Sequence, residues 1–263
     1  MRIEVLLATM FYEKEKDDFL KTLNVKTDII IGNQTDLNKN EVFEFGRNKV
    51  TVLSRAERGV GKNRNASLFY SDADIVLFAD NDVQYYDDYA EKIEEFYTTH
   101  PDADVVIFNF KVQRGDGPLR DINKKNKKAG LLDITKFGTW AVSVKRESIL
   151  KKRISFSLLF GGGAKYSAGE DSLFLMDCYK RGLKIYLSDA TLGKVIHRES
   201  TWYQGINEKL IFDRGALYAA MSPRWYRLFI FEHVLKHGKM YKDFGTAKDV
   251  VKMMLKGAKE YLI

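Results

Sequence analysis

The stretch that most constrains this chain is Gly59 to Asp82, GVGKNRNASLFYSDADIVLFADND: a glycine turn, a short helix, a second turn, a buried strand and acid at its end. Ile75 to Ala79 is a continuous apolar run of strand length, the pattern of a strand covered on both faces in an α/β sheet. It stops at Asp80. Side chains alternate along an extended chain, so Asp80 and Asp82 project together from the strand's carboxyl end while Asn81 points away. Paired like charges on one side suit a hard divalent ion such as Mg²⁺ or Mn²⁺, which takes oxygen ligands. Asp and Asn are also ordinary turn formers, and by the acids alone a solvated turn fits equally well.

An Arg-Asn pair in the opening of a helix (Arg64, Asn65), an apolar strand and then Asp-x-Asp (Asp80, Asp82) resemble the nucleotide-sugar-binding half of family 2 glycosyltransferases of the GT-A fold. Further along, GGGAKYSAGEDSLFLMDCYKRGLKI (Gly161 to Ile185) resembles the acceptor and catalytic segment of the same family, in the same order. The resemblance spans roughly residues 1 to 205. It implies a mostly parallel α/β sheet flanked by helices and a catalytic domain over 1–205, with a C-terminal helical extension over 206–263. It also implies a metal-dependent, inverting glycosyltransferase that uses a nucleoside diphosphate sugar, with a UDP-sugar favoured. Relatives of this kind build bacterial capsule, exopolysaccharide or lipopolysaccharide chains, so a lipid-linked saccharide acceptor is expected.

Strands are expected over Ile3 to Ala8, Asp28 to Ile31 and Lys49 to Leu53, with a helix over Glu13 to Leu23. The resemblance assigns the base and ribose to the loops after the first two strands, where this chain offers Asn33, Gln34 and, slightly later, Asp36. Amides carrying both a donor and an acceptor would suit a uracil edge; equally, they would cap nearby backbone. Arg58, Gly59, Gly61, Lys62 and Arg64 precede or open a helix whose free amides and dipole favour an anion, so they are the expected phosphate pocket. In the resemblance, Asp82 holds the metal (Mn²⁺ or Mg²⁺), Asp80 reaches the ribose or the metal, and His197 is a further ligand; a lone histidine is otherwise more often structural. The resemblance also implies that the Glu-Asp pair supplies the catalytic base, with Asp171 expected and Glu170 the fallback, although acids at a helix start are often dipole partners only.

Val105 to Phe110, Trp140 to Val144 and Lys184 to Leu187 read as further strands, and the resemblance implies that Trp140 to Val144 lies antiparallel beside the acidic strand. The side-chain-free turn at Gly161 to Ala164 is expected to leave space for a sugar. Lys111 to Gly130 breaks all periodicity and reads as an acceptor-side flap or, equally, a solvated insertion.

The lone Cys178 excludes an intrachain disulfide and a cysteine zinc site, and no run approaches the ~20 apolar residues that span a bilayer. With no signal-like start, a cytoplasmic protein is expected. The net charge of +7 is concentrated between Lys111 and Lys128 and after Met221, which suggests polyanionic partners. A nucleic-acid-binding protein rests on that charge alone, with no reading motif behind it, and no nucleic-acid partner is expected. A nucleotidyltransferase, the rival enzyme, would carry a denser glycine and basic signature after the first strand. The final helix, starting near Thr246 with Asp249 in a capping box, sets Ala247, Val250, Val251, Met254, Leu255 and Ala258 against four lysines. That face either lies on an anionic membrane surface as a peripheral anchor, together with the aromatic Arg224 to His237 segment, or packs on the catalytic domain.

Overall fold

A computed structural model of the chain describes residues 1–13, 17–113, 115–196 and 205–263. Buried β-rich segments build one large sheet from β1 (Ile3–Met10), β2 (Asp28–Gln34), β3 (Lys39–Phe45), β4 (Asn48–Arg55), β5 (Ile75–Asp80), β6 (Val83–Tyr85), β7 (Val105–Gln113), β8 (Arg120–Asp121), β9 (Lys127–Lys128), β10 (Val142–Lys145) and β11 (Ile185–Ile196). The helices are α1 (Asp17–Leu23), α2 (Val60–Tyr70), α3 (Tyr89–Thr99), α4 (Leu131–Ile134), α5 (Arg146–Lys151), α6 (Glu170–Lys180), α7 (Glu208–Met221), α8 (Tyr226–His237) and α9 (Ala247–Leu262). The sheet order is β3-β4-β2-β1-β5-β10-β7-β11-β6, with β8 on β7 and β9 on β11.

The parallel block β4-β2-β1-β5 carries the expected α/β character. Ile29 to Ile31, Val5 to Leu7 and Ile75 to Ala79 are almost wholly buried because helices cover both faces. All four strands run the same way, so Met10, Gln34, Arg55 and Asp80 end side by side. A crevice outside the carboxyl ends of such strands is where α/β sheets bind ligands. The rest of the sheet is largely antiparallel: β10 lies between β5 and β7, antiparallel to both.

Four expectations need correction. The strand expected from Trp140 begins at Val142, because Thr139–Ala141 form a 3₁₀ turn after Gly138. The strand expected to end at Leu187 continues to Ile196, through irregularities at Leu187/Thr191 and Thr191/Lys194 that break the alternation a sequence reading depends on. Lys111 to Gly130 contributes short strands to the sheet in its described part: β7 runs on to Gln113, β8 pairs back on it, β9 pairs with β11, and Asn109 holds the return through Asp121, Ile122 and Asn123. The apolar face of α9 is packed, with Val250, Met254 and Ala258 buried against α7 and α8.

Glycine makes that last packing close. A Cβ on Gly215 would stand 1.8 Å from the carbonyl oxygen of Met254, and one on Gly257 would stand 1.9 Å from that of Phe212. Two helices thus touch backbone to backbone, each through the other's glycine. The C-terminal helices form their own apolar cluster, and a smaller one of Phe160, Tyr166 and Ala216 joins them to the segment before α6 and to Leu173 on α6. The capping box at Thr246 and Asp249 is present, and Cys178 is buried in α6 as a structural thiol.

Candidate active site

Arg64 is the centre of the site. It lies on the inner side of α2, only 4% exposed, over the ring of Phe156 at 5.5 Å. Phe156 stacks on Phe174 at 4.1 Å, and Phe78 meets both rings edge-on, so the guanidinium rests on an aromatic floor. Its Nη2 donates to Asp80 Oδ1 at 2.8 Å, while Nη1 donates to Glu170 Oε1 at 3.0 Å and Asp171 Oδ1 at 2.9 Å. One cation therefore ties the end of β5 to the start of α6, two segments 90 residues apart in the chain.

Burial alone would lower the Arg64 pKa, but the charges of Asp80, Asp171 and Glu170 outweigh it and raise it. Glu170 goes the other way from an ordinary carboxylate: burial, then the charge of Asp171, push it up to about 7 against the pull of Arg64. Three carboxylates facing one guanidinium leave the cluster short of positive charge. Raised proton affinity at Glu170 is one answer to that shortage, and a bound cation would be another.

The two acids that open α6 have different surroundings. Asp171 accepts from Arg64 and from the Thr139 hydroxyl, both on Oδ1, and no described residue hydrogen-bonds its Oδ2. Its side chain is 28% exposed against 12% for Glu170. Glu170 is pressed against Gly161, whose φ of +103° suits glycine and whose missing Cβ would fall 2.8 Å from the Glu170 Cδ and 2.6 Å from Val60 Cγ1. The space expected for a sugar around Gly161 is thus filled by the protein itself, and the next carbonyl, Gly162, accepts from Val60 N at 2.9 Å.

The nucleotide-side residues divide. Asn33 is buried: Oδ1 accepts from Tyr12 N at 2.8 Å, and Nδ2 donates to Tyr12 O and to the Ser54 hydroxyl. Gln34 Oε1 accepts from Gly59 N at 2.8 Å. These amides clamp the loops after β1 and β4, each oxygen accepting one backbone N–H, which is the capping role that stood beside the uracil reading. Arg64 likewise points at carboxylates rather than into a phosphate pocket, and Gly61 gives its close approach to the backbone of Ser157, whose oxygen would lie 2.2 Å from a Cβ there. At the rim, Arg58 pairs with exposed Asp36 at 2.6 Å, donates to Thr35 O and lies over the Phe11 ring at 5.1 Å. Lys62 stands 3.7 Å from Glu57.

Asp80 ends β5 and stays partly exposed, whereas Asn81 and Asp82 form the turn into β6, so strand alternation carries only as far as Asp80. Asp82 is partly exposed in that turn. Among the described residues no group of three or more His, Cys, Asp or Glu is arranged to hold a metal. His197 lies outside the described residues. Carboxylate oxygens of partly exposed Asp80 and Asp82, beside a cluster deficient in positive charge, are hard donors that suit Mg²⁺ or Mn²⁺.

Sequence reasoning missed Thr139 and Asp213. Nothing in FGTW marks Thr139 as the partner of Asp171. Asp213, buried on α7, accepts from Ser167 N at 2.8 Å, from the Ser167 hydroxyl and from Lys209, so it pins the loop that leads into α6. An acid inside an apolar helix stretch, IFDRGALYAA, was the available signal.

Residues 29–155 match the family model described as Glycosyl transferase family 2. No curated protein matches the sequence significantly. Among solved structures, S. aureus TarS 1–349 in complex with UDP is similar at a TM-score of 0.61 and 14% identity, covering 99% of this chain and 83% of that one. The same TarS fragment in complex with UDP-GlcNAc gives 0.58 and 18%, covering 84% of this chain and 66% of that one. A further S. aureus TarS structure gives 0.57 and 18%, with only 39% of its length spanned. At these identities the likeness is one of fold.

Proposed function

We propose that this chain, whose residues 29–155 match glycosyl transferase family 2, transfers a sugar from a UDP-sugar to a saccharide hydroxyl by a single inverting displacement. The observation that carries the reading is the convergence of Asp80, Glu170 and Asp171 on Arg64 at the carboxyl end of β5. It joins the nucleotide half of the sheet to the helix that bears a candidate base. The TarS structures that share the fold hold UDP and UDP-GlcNAc, which supports the choice of donor.

A nucleotide sugar already has a good leaving group, so the chain has to supply alignment and a base. Asp171 fits the base: Arg64 and Thr139 hold Oδ1, which fixes the carboxylate and leaves Oδ2 to take the acceptor's proton. As the acceptor's hydroxyl oxygen gives up that proton and bonds to the anomeric carbon, the bond from that carbon to the diphosphate oxygen breaks and its electron pair leaves with UDP. Glu170, near neutrality in proton affinity, keeps Arg64 in place and limits the negative charge around Asp171. Asp80 and Asp82 would hold Mg²⁺ or Mn²⁺, which when bound neutralises the departing diphosphate. Arg58, Asp36 and Phe11 form the rim against which a nucleoside would rest. A lipid-linked acceptor in surface-polysaccharide synthesis remains the substrate class that the sequence resemblance implies.

The test is a donor screen. Nucleotide release from a panel of UDP- and GDP-sugars with Mn²⁺ should show turnover with at least one UDP-sugar. Turnover confined to GDP-sugars would overturn the choice of nucleotide, and no release from any donor would overturn the reading.

A further inference from the structure

Helix α8 is half used. Tyr226, Ile230, His233 and Val234 are buried against α7, α9 and the segment that follows α8, and His233 Nε2 lies 2.6 Å from the Tyr241 hydroxyl. On the opposite side Trp225, Leu228, Phe231 and Leu235 follow one another at steps of three, three and four, which is a single helical stripe. All four are exposed, Phe231 by 52% and Leu235 by 86%, and Met240 is exposed in the turn beyond. Apolar residues scattered singly on a surface are ordinary. A line of four large ones, on a helix whose other face already anchors it, is not needed for folding and marks a contact surface.

The charge around the stripe selects the partner. Arg224, Arg227, Lys236, Lys239 and Lys242 are all exposed, against two acids in residues 222–244, Glu232 and Asp243, and Glu232 is paired with Lys236. A second copy of this chain would bring the same cations against these, so the stripe is ill suited to pair with itself. An anionic surface with an apolar interior meets both features: large side chains enter between lipids while the arginines and lysines meet headgroups. No helix among the described residues is long and apolar enough to cross a membrane, so such binding would be lateral and reversible. We propose that the outward face of α8, from Trp225 to Leu235 with its flanking cations, docks the protein on an anionic bilayer. The apolar face of α9 takes no part, because α7 and α8 cover it; its exposed lysines lie on a different helix face.

The experiment is co-sedimentation of the full chain with vesicles of phosphatidylglycerol in phosphatidylcholine, alongside pure phosphatidylcholine, with tryptophan emission as a second readout. Binding should need the anionic lipid, weaken with salt, and shift the emission to the blue, with the shift lost in Trp225→Phe. Leu228→Ser with Phe231→Ser and Leu235→Ser should weaken binding by at least about tenfold at an unchanged melting temperature, since these side chains face outward. Replacing Lys248, Lys252, Lys256 and Lys259 by Gln controls for charge elsewhere and should change binding by less than about threefold. Absence of binding, equal binding to neutral vesicles, or retention of binding in the triple variant would overturn the proposal. So would a dimer in sedimentation velocity that the triple variant abolishes. None of these readouts depends on sugar transfer.

Discussion

The carboxyl edge of the sheet and the C-terminal helical unit solve opposite problems. At the sheet edge, charge is buried: one guanidinium, 4% exposed, holds three carboxylates, and one of these has its proton affinity raised to about neutrality. In the helical unit the close contact is neutral, with backbone meeting backbone at Gly215 and Gly257. Buried ion clusters contribute little net stability against an apolar equivalent but are costly to break, whereas close apolar packing stabilises directly. The difference teaches where to look for function: the region that is expensive to build without stabilising the fold is the one the chemistry needs.

The largest expected effect belongs to the charged region and falls on rate. Asp171→Asn should lower turnover by about 10²- to 10⁴-fold while UDP affinity and melting temperature hold, because a general base acts in the transition state. An active Asp171→Asn beside an inactive Glu170→Gln would exchange the two roles. Next comes Arg64→Met, which strands three carboxylates and should cost about 3–5 kcal/mol in a urea titration. An unshifted midpoint would mean the cluster is no cluster in solution. Gly215→Ala sharpens the other side: the α7 and α9 backbones must separate, at about 1–3 kcal/mol, with turnover per folded molecule retained.

The smallest effect is in the pH dependence, and there the two regions have opposite signs. Glu170 is raised from 4.5 to about 7 in the folded state, so its contribution is full below 4.5 and is lost as pH climbs through 7. His233, in the helical unit, is lowered from 6.5 to about 4 by burial, then by Arg214 and His237, so its contribution is full above 6.5 and is lost as pH falls through 4. Between pH 4.5 and 6.5 the two slopes oppose each other. Urea midpoints for Glu170→Gln should therefore rise with pH across that interval more steeply than wild type, and His233→Gln should reverse the trend. Parallel curves for all three proteins would contradict the assignments.

What was legible in the sequence follows the same division. Continuous apolar runs such as Ile75 to Ala79 revealed the buried parallel strands, and Thr246 with Asp249 revealed the start of α9, because burial and capping leave local patterns. The edge strand β3 did not show: Lys39, Glu41 and Glu44 keep it charged, as an unpaired edge requires. Of the irregular β11 only the first residues showed, since its polar Ser188 and Asp189 read as an ending. The periodicity of α9 announced a buried face without saying what buries it. At the site, the paired acids of α6 and the acid that ends β5 were legible as motifs. Their meeting on Arg64, and the use of Asn33 and Gln34 as loop clamps, depend on contacts between segments far apart in the chain.

The central claim, that the carboxyl edge of the sheet is a nucleotide-sugar site completed by the acids after β5, is tested most directly by calorimetric titration of UDP with and without Mn²⁺, on wild type and on Asp82→Asn. The account predicts binding to wild type that depends on Mn²⁺, and loss of that binding in Asp82→Asn at an unchanged melting temperature. Absence of UDP binding to wild type, or equal affinity in the variant, would contradict it.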